Sequence, residues 1–250
     1  LRNPCHPRDC SPPTQMSCRT QSPSPPILRN LLSMPKPLPR LGNTTFAFTN
    51  QRQQGSISAA QIPETDARRV RFETLGACRM GISRYPDFEY DAGGGGGAGR
   101  AVDGGSDGEV LVHFDLETLH IPPLTSTTTR FLGVPLPPFL RIDISSELLR
   151  GSIVPESGKV ELEFKAMFWF SVGSIYRAPA LPVVTVLTSE ESKGAMRGGR
   201  GERVDAAGRC RLVGVATIDP THDFFINTFL GLPAECMAIL NAIISIPNSL

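Results

Sequence analysis

The stretch KVELEFKAMFWFSV, residues 159–172, places Val160, Leu162, Phe164, Ala166, Phe168 and Phe170 on one face. Lys159, Glu161, Glu163 and Lys165 fall on the other. Successive residues of a strand project to opposite sides, and a period of two held this long does not arise from a helix. The same rhythm starts at Glu109, where EVLVHFDLE aligns Val110, Val112, Phe114 and Leu116, and returns in FLRIDIS with Leu140, Ile142 and Ile144. ELLRGSIV and KVELEF flank the four residues PESG, which reads as a hairpin. LPVVTVLT and CRLVGVATI predict two further strands, and SEESKGAMRGGRGER between them predicts a charged, glycine-rich loop.

After Ile218 the period changes. Asp219-Pro220 is a helix start, THDFFINTFL continues it and Gly231 stops it. Pro233 then opens a second helix, PAECMAILNAIISI, with Met237, Leu240, Ile243 and Ile244 along its apolar side. A membrane span needs about 20 apolar residues in one helix, and Gly231, Pro233 and Glu235 interrupt this stretch, so it predicts no transmembrane span. The expectation is an α+β fold: a curved antiparallel β-sheet of six or seven strands, barrel- or sandwich-like, capped by two C-terminal helices.

The amino-terminal third has a different pattern. Residues 1–77 carry ten Lys or Arg against four Asp or Glu, and the remainder carries fifteen against twenty, which the overall charge of +1 conceals. An Arg-, Ser- and Pro-rich segment poor in acids reads as a disordered basic transit peptide, and its prolines favour a chloroplast address over a mitochondrial one. Met16 opens a run typical of a transit-peptide start, and cleavage is expected between Ala67 and Gly81. Residues 78–108, with DAGGGGGAGR inside them, predict a flexible linker, because consecutive glycines lose the most backbone entropy on ordering. This leaves residues 109–250 as a single α+β domain.

Candidate chemistry is sparse. In HFDLE, His113, Asp115 and Glu117 project from one strand face, where they could form a metal or acid/base site, or simply a solvated outer face. Cys78, Cys210 and Cys236 have no C-x-x-C spacing; Cys210 and Cys236 read as small core residues, and no metal or cofactor site is expected. No nucleophile elbow, zinc-protease or phosphate-loop sequence occurs. The near-neutral charge argues against nucleic acid as a partner. From Met167 the outer face of the long strand turns apolar, with Trp169, the only tryptophan, beside it. A strand apolar on both faces is covered on both. Met167 and Trp169 are therefore expected beneath the helices, packed there or lining an apolar ligand or partner site.

The segments PALPVVTVLTSEESKG, GRCRLVGVATIDPTHDFFINTFLGLP and ECMAILNAIIS resemble a plastid-targeted plant protein family of unassigned function. The resemblance covers the last third of the chain. It implies a chloroplast location, in the stroma or on a thylakoid surface, and transfers no catalytic residues. Strands followed by helices also resemble lipocalin-type ligand barrels, but Met167 stands where their signature glycine would be. The expected function is a non-enzymatic plastid protein binding an apolar small molecule or a protein partner. The alternatives are an enzyme using the His113, Asp115 and Glu117 face, and a peripheral thylakoid or envelope structural factor in contact with the membrane.

Overall fold

A computed structural model describes residues 67–82, 84–104 and 108–247. The expected leader lies outside these residues as far as position 66. The strands are β1 (Arg68–Thr74), β2 (Cys78–Ile82), β3 (Phe88–Tyr90), β4 (Gly96–Asp103), β5 (Val110–Phe114), β6 (Thr129–Phe131), β7 (Val134–Pro135), β8 (Leu140–Val154), β9 (Lys159–Val172), β10 (Tyr176–Arg177), β11 (Leu181–Thr188), β12 (Glu191–Lys193), β13 (Gly198–Arg200), β14 (Arg209–Ile218) and β15 (Ala234–Ser245). Helix α1 (Phe224–Leu230) stands between β14 and β15.

The strands form an antiparallel sheet in which β1, β4, β5, β8, β9, β11, β14 and β15 are successive neighbours. Pairing of Arg71–Thr74 with Ala242–Ser245 joins β15 back to β1 and closes the ring. Closure removes the free edges that an open sheet would present. The periodic residues of β9 face inward as their pattern predicts. Val160, Leu162 and Ala166 are fully buried, with Phe72, Phe114, Leu149 and Leu212 packed against them from other strands. Phe72 and Phe114 meet at 5.7 Å between ring centroids.

The long strands fork. The carboxyl-terminal half of β15 pairs with β1, whereas Cys236–Ile239 pair with β2, which continues the sheet into β3, β6 and β7. On the opposite side, β5 pairs only with Arg150–Ile153 of β8, and Ile142 of β8 instead exchanges backbone hydrogen bonds with Leu124. One half of the barrel is thus closed by β1, β4 and β5, and the other by β2, β3, β6 and the Leu124 segment.

Several expectations are overturned. Among the described residues the fold is mostly β, with a 13-stranded sheet rather than six or seven strands, and no pair of helices caps it. The predicted second helix is β15, bonded along ten positions to β14, from Arg209–Ile243 to Ile218–Ala234. Its pattern is not alternating because both faces are covered: Ala242 and Ile244 point into the barrel, while Met237 and Ile239 lie under the β12–β13 hairpin. That hairpin is the segment expected to be a charged loop.

The residues expected to form a linker carry β2, β3 and β4, and β1 falls within the segment expected to be leader, so the sheet begins well before Glu109. The glycine run is a strand that lies too close to its neighbours for side chains at some positions. A Cβ on Gly99 would lie 2.3 Å from the His113 carbonyl oxygen, and one on Gly96, at φ 146°, would lie 2.3 Å from that of Phe72. Two ladders of backbone hydrogen bonds, to β1 and β5, offset the entropy these glycines lose.

Candidate functional site

Helix α1 closes one mouth of the barrel through a single fully buried side chain, Ile226, which packs with Ile82, Phe170, Leu181, Val183 and Ile218. The helix begins later than predicted, at Asp223, whose carboxylate accepts from the Ile226 amide at 3.1 Å. It ends where predicted, at Gly231, with φ 71° in the left-handed region. Hydrogen bonds fix it at both ends. Asn227 bonds the Thr221 carbonyl at 2.7 Å, Tyr85 donates its hydroxyl to the Phe229 carbonyl at 2.6 Å, and Arg84 donates to the Thr228 carbonyl at 3.0 Å.

Held in this way, the helix presents Phe224, Phe225 and Phe229 outward; Phe224 is 84% exposed. Phe225 and Phe229 stack with ring centroids 5.9 Å apart. Ring contacts run from there to Tyr176 and Phe170 on one side, and through Tyr85 to Phe131 and Phe88 on the other. They gather four chain segments at this end: α1, the β9–β10 turn, the β2–β3 turn and the β6–β7 hairpin. The two tips expose Ile175 (91%) and Leu132 (71%), and Val134 and Phe139 are exposed near them. The Gly173 amide donates to the Phe139 carbonyl at 2.7 Å, fixing Phe139 beside the β9–β10 turn.

Exposed Arg84, Arg130 and Arg177 rise from the same segments, and none forms an ion pair among the described residues. The Tyr176 hydroxyl is enclosed in the same network beside the Asp223 carboxylate, and desolvation pushes its pKa up to about 12, with Asp223 adding to the effect. An ionised phenolate therefore plays no part here near neutral pH.

The residues singled out from sequence are dispersed differently from expectation. Met167 and Trp169 do lie on the second face of β9, but that face is the outside of the barrel and no helix covers it. Met167 is opposite Ser145 and Pro182, and Trp169 is opposite Asp143. Trp169 borders an open cleft of about 350 Å³ with Asp143, Ser171, Ile175, Tyr176 and Arg177, and the Arg177 guanidinium sits 4.9 Å from the centre of its ring. The cleft shares Ile175, Tyr176 and Arg177 with the apolar end.

His113, Asp115 and Glu117 are all exposed and do not share a strand face, because β5 ends at Phe114. Asp115 instead caps a turn by accepting from the Glu117 amide at 3.0 Å. Among the described residues no group of His, Cys, Asp or Glu could hold a metal ion, and no helix is long and apolar enough to cross a membrane. Cys210 is buried, and desolvation raises its thiol pKa to about 12, as suits a small core residue.

The apolar end was missed from sequence, although signals were present. Large apolar residues occupy turn segments, Ile175 in VGSIYR and Leu132 in RFLGVP, where polar residues are usual. FFINTFL has only Asn227 and Thr228 to set against five large apolar residues, too few for the solvent side of a surface helix. No protein-family profile matches the sequence, and no curated protein or solved structure matches it either.

Proposed function

We propose that this protein is a non-enzymatic β-barrel that attaches through its α1 end to a lipid surface, with the chloroplast address suggested by its acid-poor leader. The observation that carries this reading is the contiguous set of exposed apolar side chains at that end. Ordinary surfaces expose large apolar residues singly, whereas contiguous patches mark contact sites. Withdrawing a Phe, Ile or Leu side chain from water is worth about 1.5–3 kcal/mol, so a few of them entering a bilayer interface suffice for reversible attachment.

A lipid surface fits better than a ligand inside the barrel, because Phe72, Phe114, Leu149, Leu162 and Leu212 occupy the interior. It also fits better than a shaped protein groove, because the patch consists of turn tips and one short helix, which ask no complementary shape of a fluid partner. Arg84, Arg130 and Arg177 suit anionic headgroups.

The test is co-sedimentation with vesicles of neutral or anionic phospholipid, together with the emission of Trp169, the sole tryptophan. Binding with a blue shift is expected, stronger on anionic vesicles. A variant combining I175S, F224S and F225S is expected to keep its melting temperature and lose binding at least tenfold. Failure of the native protein to bind vesicles of any composition would overturn the lipid reading and favour a protein partner for the same end.

A further inference from the structure

A second feature, independent of the apolar end, lies on the flank of the barrel. Arg79 from β2, Arg200 from β13 and Arg211 from β14 line one cleft of about 320 Å³, together with Ala77 and Ile239. Small-molecule sites start at about this volume, roughly 300 Å³. We propose that this cleft binds a small phosphate-bearing anion.

The convergence of three cations is the first argument. Among the described residues Arg79 and Arg200 form no ion pair. Glu89 stands across from Arg79 and Glu191 across from Arg200 in the strand register without forming an ion pair, and Glu190 lies near enough to Arg200 for their charges to interact. Arg211 is held in place by its Nε on Asn241 Oδ1 at 3.2 Å and by an ion pair with Glu202. Like charges gathered in a partly enclosed space repel one another, and a bound anion relieves that repulsion. Guanidinium groups bind tetrahedral oxyanions in fork geometry, with two parallel hydrogen bonds each. Arg79 and Arg200 offer two such forks, and Arg211, whose Nε and Nη1 are taken by Asn241 and Glu202, adds its remaining donor. Two forks match a phosphate with two negative charges better than a single carboxylate.

Preorganisation is the second argument. The hairpin carrying Arg200 is fixed to the barrel by Glu235, whose carboxylate accepts from the amides of Ala195, Met196 and Arg197 at 2.6, 2.8 and 2.9 Å. Arg197 in turn bonds the Ile82 carbonyl at 2.8 Å and pairs with Asp87. Asn241, which orients Arg211, also donates to the carbonyls of Gly76 and Ala77 at 3.2 and 2.9 Å. Ala77 is held at φ 56°, a left-handed conformation that a non-glycine residue keeps only when its surroundings impose it. The backbones that carry the three arginines are therefore held in place around the cleft, Arg211 is also fixed through its side chain, and Ile239 and Ala77 supply an apolar wall for the remainder of a phosphorylated molecule.

The experiment uses the full chain and inorganic phosphate, titrated by calorimetry at constant ionic strength set with KCl. Saturable binding is expected. The double variant R79Q/R200Q is expected to weaken it at least tenfold with an unchanged melting temperature in the absence of phosphate. R69Q, which removes an exposed arginine on β1, is expected to leave binding unchanged. Parallel titrations with glycerol phosphate in solution and with phosphatidate vesicles separate the two sources of the group. Arginine-dependent binding of the soluble ester assigns the site to a free metabolite, and arginine-dependent binding of the vesicles alone assigns it to a lipid headgroup. Absence of saturable binding to every probe, or equal loss in R69Q, overturns the proposal. Because the α1 end is intact in these variants, a failure here leaves the attachment reading standing.

Discussion

The two ends of the barrel are built from the same residue types and treat them in opposite ways. At the end closed by β1, β4 and β5, Phe72 and Phe114 are at most 1% exposed and packed against aliphatic neighbours. At the other end Phe139, Phe224 and Phe225 are each more than half exposed. The difference does not come from looseness. The helix that carries two of these residues is tied down by Ile226 beneath it and by hydrogen bonds from Tyr85, Arg84 and Asn227. Polar groups hold the backbone in a pose that withholds the aromatic side chains from the core. A fold that only needed stability would turn them inward, and this exposure is the observation behind the proposed attachment.

That contrast is sharpest where a single substitution separates the two ends. The largest effect is expected for Gly99→Val in β4. The added side chain meets the backbone of β5, with the first Cβ already 2.3 Å from the His113 carbonyl oxygen. A loss of about 4 kcal/mol or more is expected, at the extreme of single substitutions. Chemical denaturation measures it, and a silent substitution would mean that the glycine run is not part of the wall.

Next is a matched pair. Phe114→Ala at the packed end empties a fully buried position and is expected to cost about 3–5 kcal/mol. Phe225→Ala at the exposed end is expected to stay within about 1 kcal/mol of the native protein while weakening vesicle binding. Equal destabilisation by the two would erase the distinction between the ends.

The smallest effect concerns the β12–β13 hairpin. Hydrogen bonds from the Met196, Ala195 and Arg197 amides hold the Glu235 carboxyl below the usual carboxylate range. A carboxyl depressed in the folded state adds stability above its unfolded pKa and loses it as pH falls through the folded value. The amides of Ala195–Arg197 are therefore expected to exchange faster, relative to the intrinsic rate, as the pH drops below the ordinary carboxylate range, while the core strands stay protected. E235Q is expected to reproduce this at neutral pH. An exchange rate that follows only the intrinsic pH dependence would remove Glu235 as the latch.

Much of the wall was legible beforehand because it alternates. The inward face of β9 and the strand β5 follow from a period of two that only a strand produces, and the β8–β9 hairpin and the strands β11 and β14 were read beside them. The end of α1 at Gly231 follows from the left-handed conformation that glycine adopts there. The candidate site was not legible in the same way. Met167 and Trp169 were placed correctly on the second face of β9, but the cover expected over them does not exist. His113, Asp115 and Glu117 were grouped by a strand that in fact stops at Phe114.

By itself the sequence determined the β character of the middle of the chain, the inward set of β9 and the stop of α1, because each is local: neighbours in sequence set the period or the backbone angle. Tertiary structure decided the rest. Ala234–Ser245, rich in residues that favour a helix, became a strand because β14, β1 and β2 offered its backbone partners along its length. Gly96–Asp103 became a strand because flanking chains needed a wall without side chains in their way. The gathering of Leu132, Phe139, Ile175 and Phe225 at one end, and of Arg79, Arg200 and Arg211 in one cleft, depends on which strands become neighbours when the sheet closes. No local pattern carries that information, because the energy that selects closure comes from hydrogen bonds and buried contacts between segments distant in the chain.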